Sequence, residues 1–347
     1  MEAKQLMLER INGHVKRPSG VYVPTKEYLK KVLEKAMVPP EENIPYVPHS
    51  NELKSLEIAM RTKQSVLLAG PTGVGKSMLA RYIAQQWKLP FLWITCDPDK
   101  TEGKIMGRPD IVFATIDVND DAQLMHMQQF RPSAISIAGL AELPVVLFID
   151  ELHKLRKDID ALFHPLVNER VVNLSDHLGP GEICPLHDET LVLFALNPYY
   201  SDGGIERVGP AMRQRLKTLY FPMLTDTEKM MKIVTSNLGD LKGNEEIIKN
   251  ICEMCAAICR IYLEYRKEAA ARAEDMEIKG KISNALPNIS EAPSPRVIVN
   301  ASRAIVAGQE PQDAILENIF NAITNDFGAT AQALVSVAED TYSIKRE

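Results

Sequence analysis

Gly70-Pro71-Thr72-Gly73-Val74-Gly75-Lys76-Ser77 matches the spacing GxxxxGK[ST] in full. Phosphate oxygens need many donors in a small space, and glycine lets successive backbone N–H groups curl around an anion without Cβ clashes. Ser65 to Ala69 (SVLLA) precedes it as a short apolar run of buried-strand type. Lys76 to Trp87 follows with Leu79, Ile83 and Trp87 at helical spacing. Strand, glycine loop and helix together are the context this chemistry requires, because the positive end of the helix favours the anion. Gly70, Pro71, Thr72, Gly73, Val74, Gly75, Lys76, Ser77 and Met78 are therefore expected to cradle ATP or ADP. Lys76 is to reach the β- and γ-phosphates and Ser77 to ligate Mg²⁺.

Downstream, Val145 to Glu151 (VVLFIDE) is an apolar run ending in two carboxylates. Alone, such an ending means only a strand edge. Behind a complete phosphate loop it predicts Asp150 in the Mg²⁺ shell and Glu151 as the general base for the attacking water. Further apolar runs at Pro90 to Thr95, Thr190 to Leu196 and Thr218 to Phe221 bring the expected strands to five. Strands alternating with helices predict an α/β fold around a mostly parallel sheet. After Pro222 strand signals cease. Thr225 with Glu228 reads as a capping box, a long helical pattern runs from Glu245 to about Glu277, and further helical stretches lie near Arg296, Asp313 and Ala329. The expected organisation is a segment 1–48 acting as extension and linker, an α/β core at 49–223 and a smaller all-helical lid at 224–347.

Bulk properties narrow the function. Of the 347 residues, 45% are hydrophobic and 25% charged, as in an ordinary globular protein. A formal net charge of −6 disfavours a dedicated nucleic-acid binder, although residues 1–35 lean basic with acids interleaved. No apolar run reaches signal-peptide or membrane-spanning length, so a cytoplasmic protein without membrane insertion is expected. Five unevenly spaced cysteines do not resemble a disulfide framework. Cys252, Cys255 and Cys259 read as a buried helical stripe, and the scattered His153, His164, His177 and His187 as surface or packing residues.

Four positions are ambiguous on their own. Asn197 ends the run LFALNP, where its amide suits a γ-phosphate or water contact but also a simple Asn-Pro turn. Arg213 and Arg215 precede the last short strand, as a neighbour-directed arginine or an exposed basic helix end. Arg296 opens a helix after Ser294-Pro295, where it either reaches the bound nucleotide from the lid or is a helix-start residue with no ligand.

The ordered set GPTGVGKS, VVLFIDE, FALNP, AMRQRL and SPR resembles that of the MoxR-like AAA+ ATPases, most similar to the CbbQ/NorQ and gas-vesicle N-type branch. The resemblance runs from about Pro48 to the C-terminus and is weaker in the long charged helix. It implies Asn197 as first sensor, Arg296 as second sensor and Arg215 as the arginine finger. Arg213 remains an alternative finger, because the family's Asp-Arg-Phe is Gln-Arg-Leu here. It further implies two insertions, which Asp117 to Leu140 and a β-hairpin at Arg170 to Thr190 tipped by Gly179-Pro180-Gly181 would supply. Relatives of this kind hydrolyse ATP as rings, generally hexameric, and remodel or activate a client protein, often one with a von Willebrand factor A-type domain. A nucleic-acid-acting motor and a slow nucleotide-gated binding module remain the alternatives.

Overall fold

The computed structural model describes residues 10–11, 13–48, 51–118, 121–156, 161–197, 209–272, 291–324, 334–335, 338–339 and 341–344. The five expected strands form one parallel sheet, in the order Lys217–Tyr220, Val66–Ala69, Leu191–Leu196, Val146–Asp150, Phe91–Thr95. The three central strands are buried on both faces, which is why each reads as a continuous apolar run. The two edge strands alternate instead, leaving Trp93 and Tyr220 exposed. The helix Lys76–Gln86 buries Leu79, Ala80, Ile83 and Ala84.

Residues before Pro48 do more than link. Three short strands, Arg10–Ile11, His14–Lys16 and Tyr22–Pro24, join a long antiparallel hairpin, Arg108–Val118 with Asp121–Arg131, in a second five-stranded sheet. Tyr22 pairs with Gln129 in parallel and packs with Met127 and Val112. The His14 Nε2 and Gln129 Nε2 atoms lie 2.6 Å apart, and Arg17 Nε lies 3.5 Å from Glu182 Oε1. Thr25 caps the helix Lys26–Lys35, whose Leu29 and Leu33 enter the same core as the central strands. Strands of two or three residues carry no periodicity, and the partner that ties them into the sheet, Gln129 opposite Tyr22, lies more than a hundred positions away, so a local reading sees only a linker.

The inserted segments also differ in detail from expectation. The range 117–140 straddles the long hairpin and a separate helix, Ala134–Leu140, which Ser133 and Ser136 start with a reciprocal capping box. The stretch 170–190 pairs Val171–Asn173 with Ile183–Pro185, but a helical turn, Ser175–Leu178, intervenes before the glycines. Gly179 then takes φ +114° and Gly181 φ +85°, conformations that L side chains rarely adopt.

The chain divides into two compact units, the second comprising Pro45–Val47, Pro71–Gly75 and Phe221–Glu347. Its described secondary structure is helical. Asp226, not Thr225, caps the helix Thr227–Leu238 by accepting from Lys229 N–H, because a β-conformation cap must sit one residue ahead of the first turn. The long helix ends at Arg272 in the described residues, and the stretches near Glu277 and Ala329 fall outside them. Cys252, Cys255 and Cys259 are fully buried with Ile248, Ile251, Ile298 and Phe320. Burial pushes the Cys252 and Cys259 thiols up to about 12 and Cys255 well above its ordinary range, so none is a thiolate at neutral pH. Among the described residues no group of His, Cys, Asp and Glu is arranged to hold a metal by itself. No helix among them is long and apolar enough to cross a membrane.

Candidate nucleotide site

Parallel register brings the chemistry-bearing residues to one edge of the sheet. Leu196 pairs with Ala69, so Asn197 and Gly70 leave adjacent strands at the same level. Thr95 pairs with Asp150 on the other side. Open parallel sheets place ligands at this carboxyl edge. The Gly70 N–H donates to Leu196 O at 3.3 Å, and the Cys96 N–H to Asp150 O at 2.8 Å, which closes the edge into a continuous rim.

Within the loop, Lys76 Nζ donates to Gly70 O at 2.7 Å, folding the ammonium back over the start of the turn. Gly73 and Gly75 take φ +79° and +95°. A Cβ at Gly73 would lie 2.7 Å from both Cβ and Oγ of Ser294 and 3.5 Å from Arg296 Cβ. The loop tip and the start of the helix Pro295–Val306 are thus packed together in the helical unit, where Arg296 is exposed.

Ser77 Oγ donates to Asp150 Oδ2 at 3.0 Å. Burial raises the Asp150 carboxyl above its ordinary range, while the Ser77 hydroxyl, the Glu151 N–H and the Lys76 charge pull it back. A hydroxyl beside a carboxylate is a hard-oxygen pair of the kind that would hold Mg²⁺. Glu151 sits at φ 54°, ψ 38°, in the left-handed region, and its N–H donates to Asp150 Oδ1 at 2.9 Å. Lys154 Nζ lies 2.8 Å from Glu151 Oε2.

Asn197 is buried, and its backbone N–H donates to His153 Nδ1 at 3.4 Å. His153 is therefore the packing residue of the two readings, and in addition a strut between two strand ends. Arg213 ends the short helix Pro210–Arg213, and both Arg213 and Arg215 are exposed. They precede Lys217, which pairs with Val66 at the start of the loop strand, so they lie at the sheet edge opposite Gly70. The structure therefore brings together Gly70, Lys76, Ser77, Asp150, Glu151 and Asn197, and keeps the two arginines apart from them.

Residues 65–216 match the model of the AAA domain, dynein-related subfamily. The denitrification regulatory protein NirQ of Pseudomonas aeruginosa is 23% identical over 294 residues, covering 85% of this chain and 96% of NirQ. Protein CbbQ of Hydrogenophilus thermoluteolus is 25% identical over 173 residues, 49% of this chain and 58% of CbbQ. A solved structure of the Thermotoga maritima RuvB Holliday junction branch migration motor aligns over 87% of this chain and 73% of that one, with 16% identity and a TM-score of 0.43. With its glycine loop, acidic strand end and parallel sheet in that order, the chain belongs to the dynein-related, MoxR-like subfamily of AAA+ P-loop proteins.

Proposed function

We propose that this protein binds ATP with Mg²⁺, hydrolyses it, and uses the cycle to remodel or activate a partner protein as a ring of identical subunits. The observation that carries the reading is the contact of Ser77 Oγ with Asp150 Oδ2, with Glu151 next in the chain and Lys76 on the adjoining helix turn. Ser77 and Asp150 would hold Mg²⁺, which supplies charge neutralisation at the phosphate oxygens when bound. Glu151 accepts a proton from water as the water oxygen bonds to the γ-phosphorus. The γ-phosphorus–oxygen bond to the β-phosphate breaks, leaving ADP and phosphate. Lys76 neutralises the phosphates, and Asn197 orients the water or the γ-phosphate from the neighbouring strand end.

Arg215, or Arg213 in its place, acts on a neighbouring subunit's ATP. Their position at the far edge of the sheet supports this, since neither is placed beside its own chain's loop. Arg296 serves as the second sensor, a role supported by its closeness to Gly73. Activation of another protein is favoured by alignment along nearly all of NirQ, a protein named as a regulator. The client is expected to be a protein, von Willebrand factor A-type domains being the first class to test.

The test is a pull-down from the native host using the Glu151→Gln variant loaded with ATP. Expected are retained ATP, abolished turnover and one stoichiometric protein partner. Undiminished hydrolysis in that variant overturns the catalytic assignment. Nuclease-sensitive nucleic acid in place of a protein partner replaces remodelling with a nucleic-acid motor.

A further inference from the structure

Glu151 begins a turn of 3₁₀-helix, Leu152–Lys154, and the Lys154 N–H donates to Glu151 O at 2.8 Å. The Glu151 and Lys154 side chains meet at 2.8 Å through Glu151 Oε2. Among the described residues, Glu151 Oε1 has no hydrogen-bond partner.

The turn itself is held at both ends. Glu151 occupies the left-handed region, a conformation unfavourable for a non-glycine residue that persists only where its surroundings fix it. The bond from its N–H to Asp150 Oδ1 fixes one side. On the other, His153 is buried and accepts from the backbone of Asn197, tying the turn to the adjacent strand end. Leu152, also buried, packs into the core below.

We propose that Lys154 is a positioning residue for Glu151, anchoring one carboxylate oxygen so that the other is presented to water. This rests on the reading of Glu151 as the general base. A glutamate has three rotatable side-chain bonds, and a base must stay within hydrogen-bond reach of the proton it removes. One anchored oxygen restricts those bonds without consuming the acceptor that does the work. Both side chains are about one-third exposed, so the pair adds little to folding, and its value lies in orientation.

The experiment is steady-state ATP hydrolysis by the full chain carrying Lys154→Ala, Lys154→Arg, Glu151→Gln, or Lys154→Ala with Glu151→Gln. Lys154→Ala is expected to lower kcat about fivefold, the factor set by roughly 1 kcal/mol of lost orientation, with KM for ATP within about twofold of the parent. Lys154→Arg is expected to restore kcat to within about twofold, which a merely structural loss would not allow. With Glu151→Gln present, Lys154→Ala should have no further effect on residual turnover. Unchanged or increased kcat in Lys154→Ala, alongside an inactive Glu151→Gln, overturns the role of Lys154 and leaves the base assignment standing. Normal turnover in Glu151→Gln removes the base assignment and this proposal with it.

Discussion

Ser77 and Asp150, seventy-three positions apart in the chain, are joined by a hydrogen bond of 3.0 Å from Oγ to Oδ2. The same carboxylate accepts the Glu151 N–H on its other oxygen, so both oxygens are committed inside a largely buried edge of the sheet.

That burial predicts an opposition between stability and activity at Asp150. Its folded value lies above the ordinary 3.8, so the native state holds the proton more tightly than the unfolded chain. The contribution of such a group is complete below the unfolded value and is lost as pH rises through the folded one. At neutral pH the ionised carboxylate is a burden on the nucleotide-free protein. Asp150→Asn should therefore raise the thermal midpoint without nucleotide at pH 7.5, by about 2–4 °C for each kcal/mol gained. It should also abolish the extra stabilisation that Mg-ATP gives over ATP alone. A lower midpoint in calorimetry would refute the burial argument.

Gly73 and Gly20 separate backbone freedom from close packing. Both have positive φ, but a Cβ at Gly20 meets nothing within 4 Å whereas one at Gly73 strikes Ser294 at 2.7 Å. Alanine at Gly20 should cost about 1–2 kcal/mol through φ alone. Alanine at Gly73 should cost more and weaken ATP binding at least about tenfold, since the loop cannot hold its curl. Denaturant titration of the two variants, with nucleotide binding followed in parallel, compares them directly, and equal costs would show the Ser294 contact to be soft.

The three buried cysteines predict alkaline lability. Their folded values exceed the ordinary 9.0, two of them at about 12, so native thiols keep protons that the unfolded chain releases. Stability is full below pH 9 and falls as pH rises towards 12, by at most about 1.4 kcal/mol per pH unit for each thiol. Replacing Cys252 and Cys259 by Ala should flatten that slope, as read from midpoints between pH 8.5 and 11. In the native protein at pH 7.5 these thiols should react with a thiol reagent only at the rate of opening. Rapid native labelling at Cys252 would contradict their burial.

Tyr22→Ala removes the ring that covers Met127 and Val112. Burial of a large side chain lost in this way costs about 3–5 kcal/mol. Because the loss falls where two sheet segments meet, backbone amides of Met127 to Arg131 should exchange faster while those of the central parallel strands hold. Uniform acceleration across the protein would mean that the second sheet and the core open together.

Legibility followed locality. Val66–Ala69, Val146–Asp150 and Leu191–Leu196 were readable because strands buried on both faces are apolar at every position. Gly70 to Ser77 were readable because one short loop must satisfy steric and electrostatic demands together. His153 was not, since a lone histidine next to an acidic strand end gives no sign that it will receive Asn197 N–H from another strand. Lys154 was overlooked for the opposite reason, as its contact is local but depends on a 3₁₀ turn that residue type does not announce. The first three strands were illegible because pairing such as Tyr22 with Gln129 exists only in three dimensions.

That pairing also sets an order of events during synthesis. Tyr22 is made more than a hundred residues before Gln129, so the first strands leave the ribosome without the hairpin they must join. Contacts of such sequence separation form slowly because loop closure precedes any gain from pairing. Until residue 131 emerges, the apolar edges of Tyr22–Pro24 stand open, and nascent chains stalled before that point are the ones expected to need a holdase.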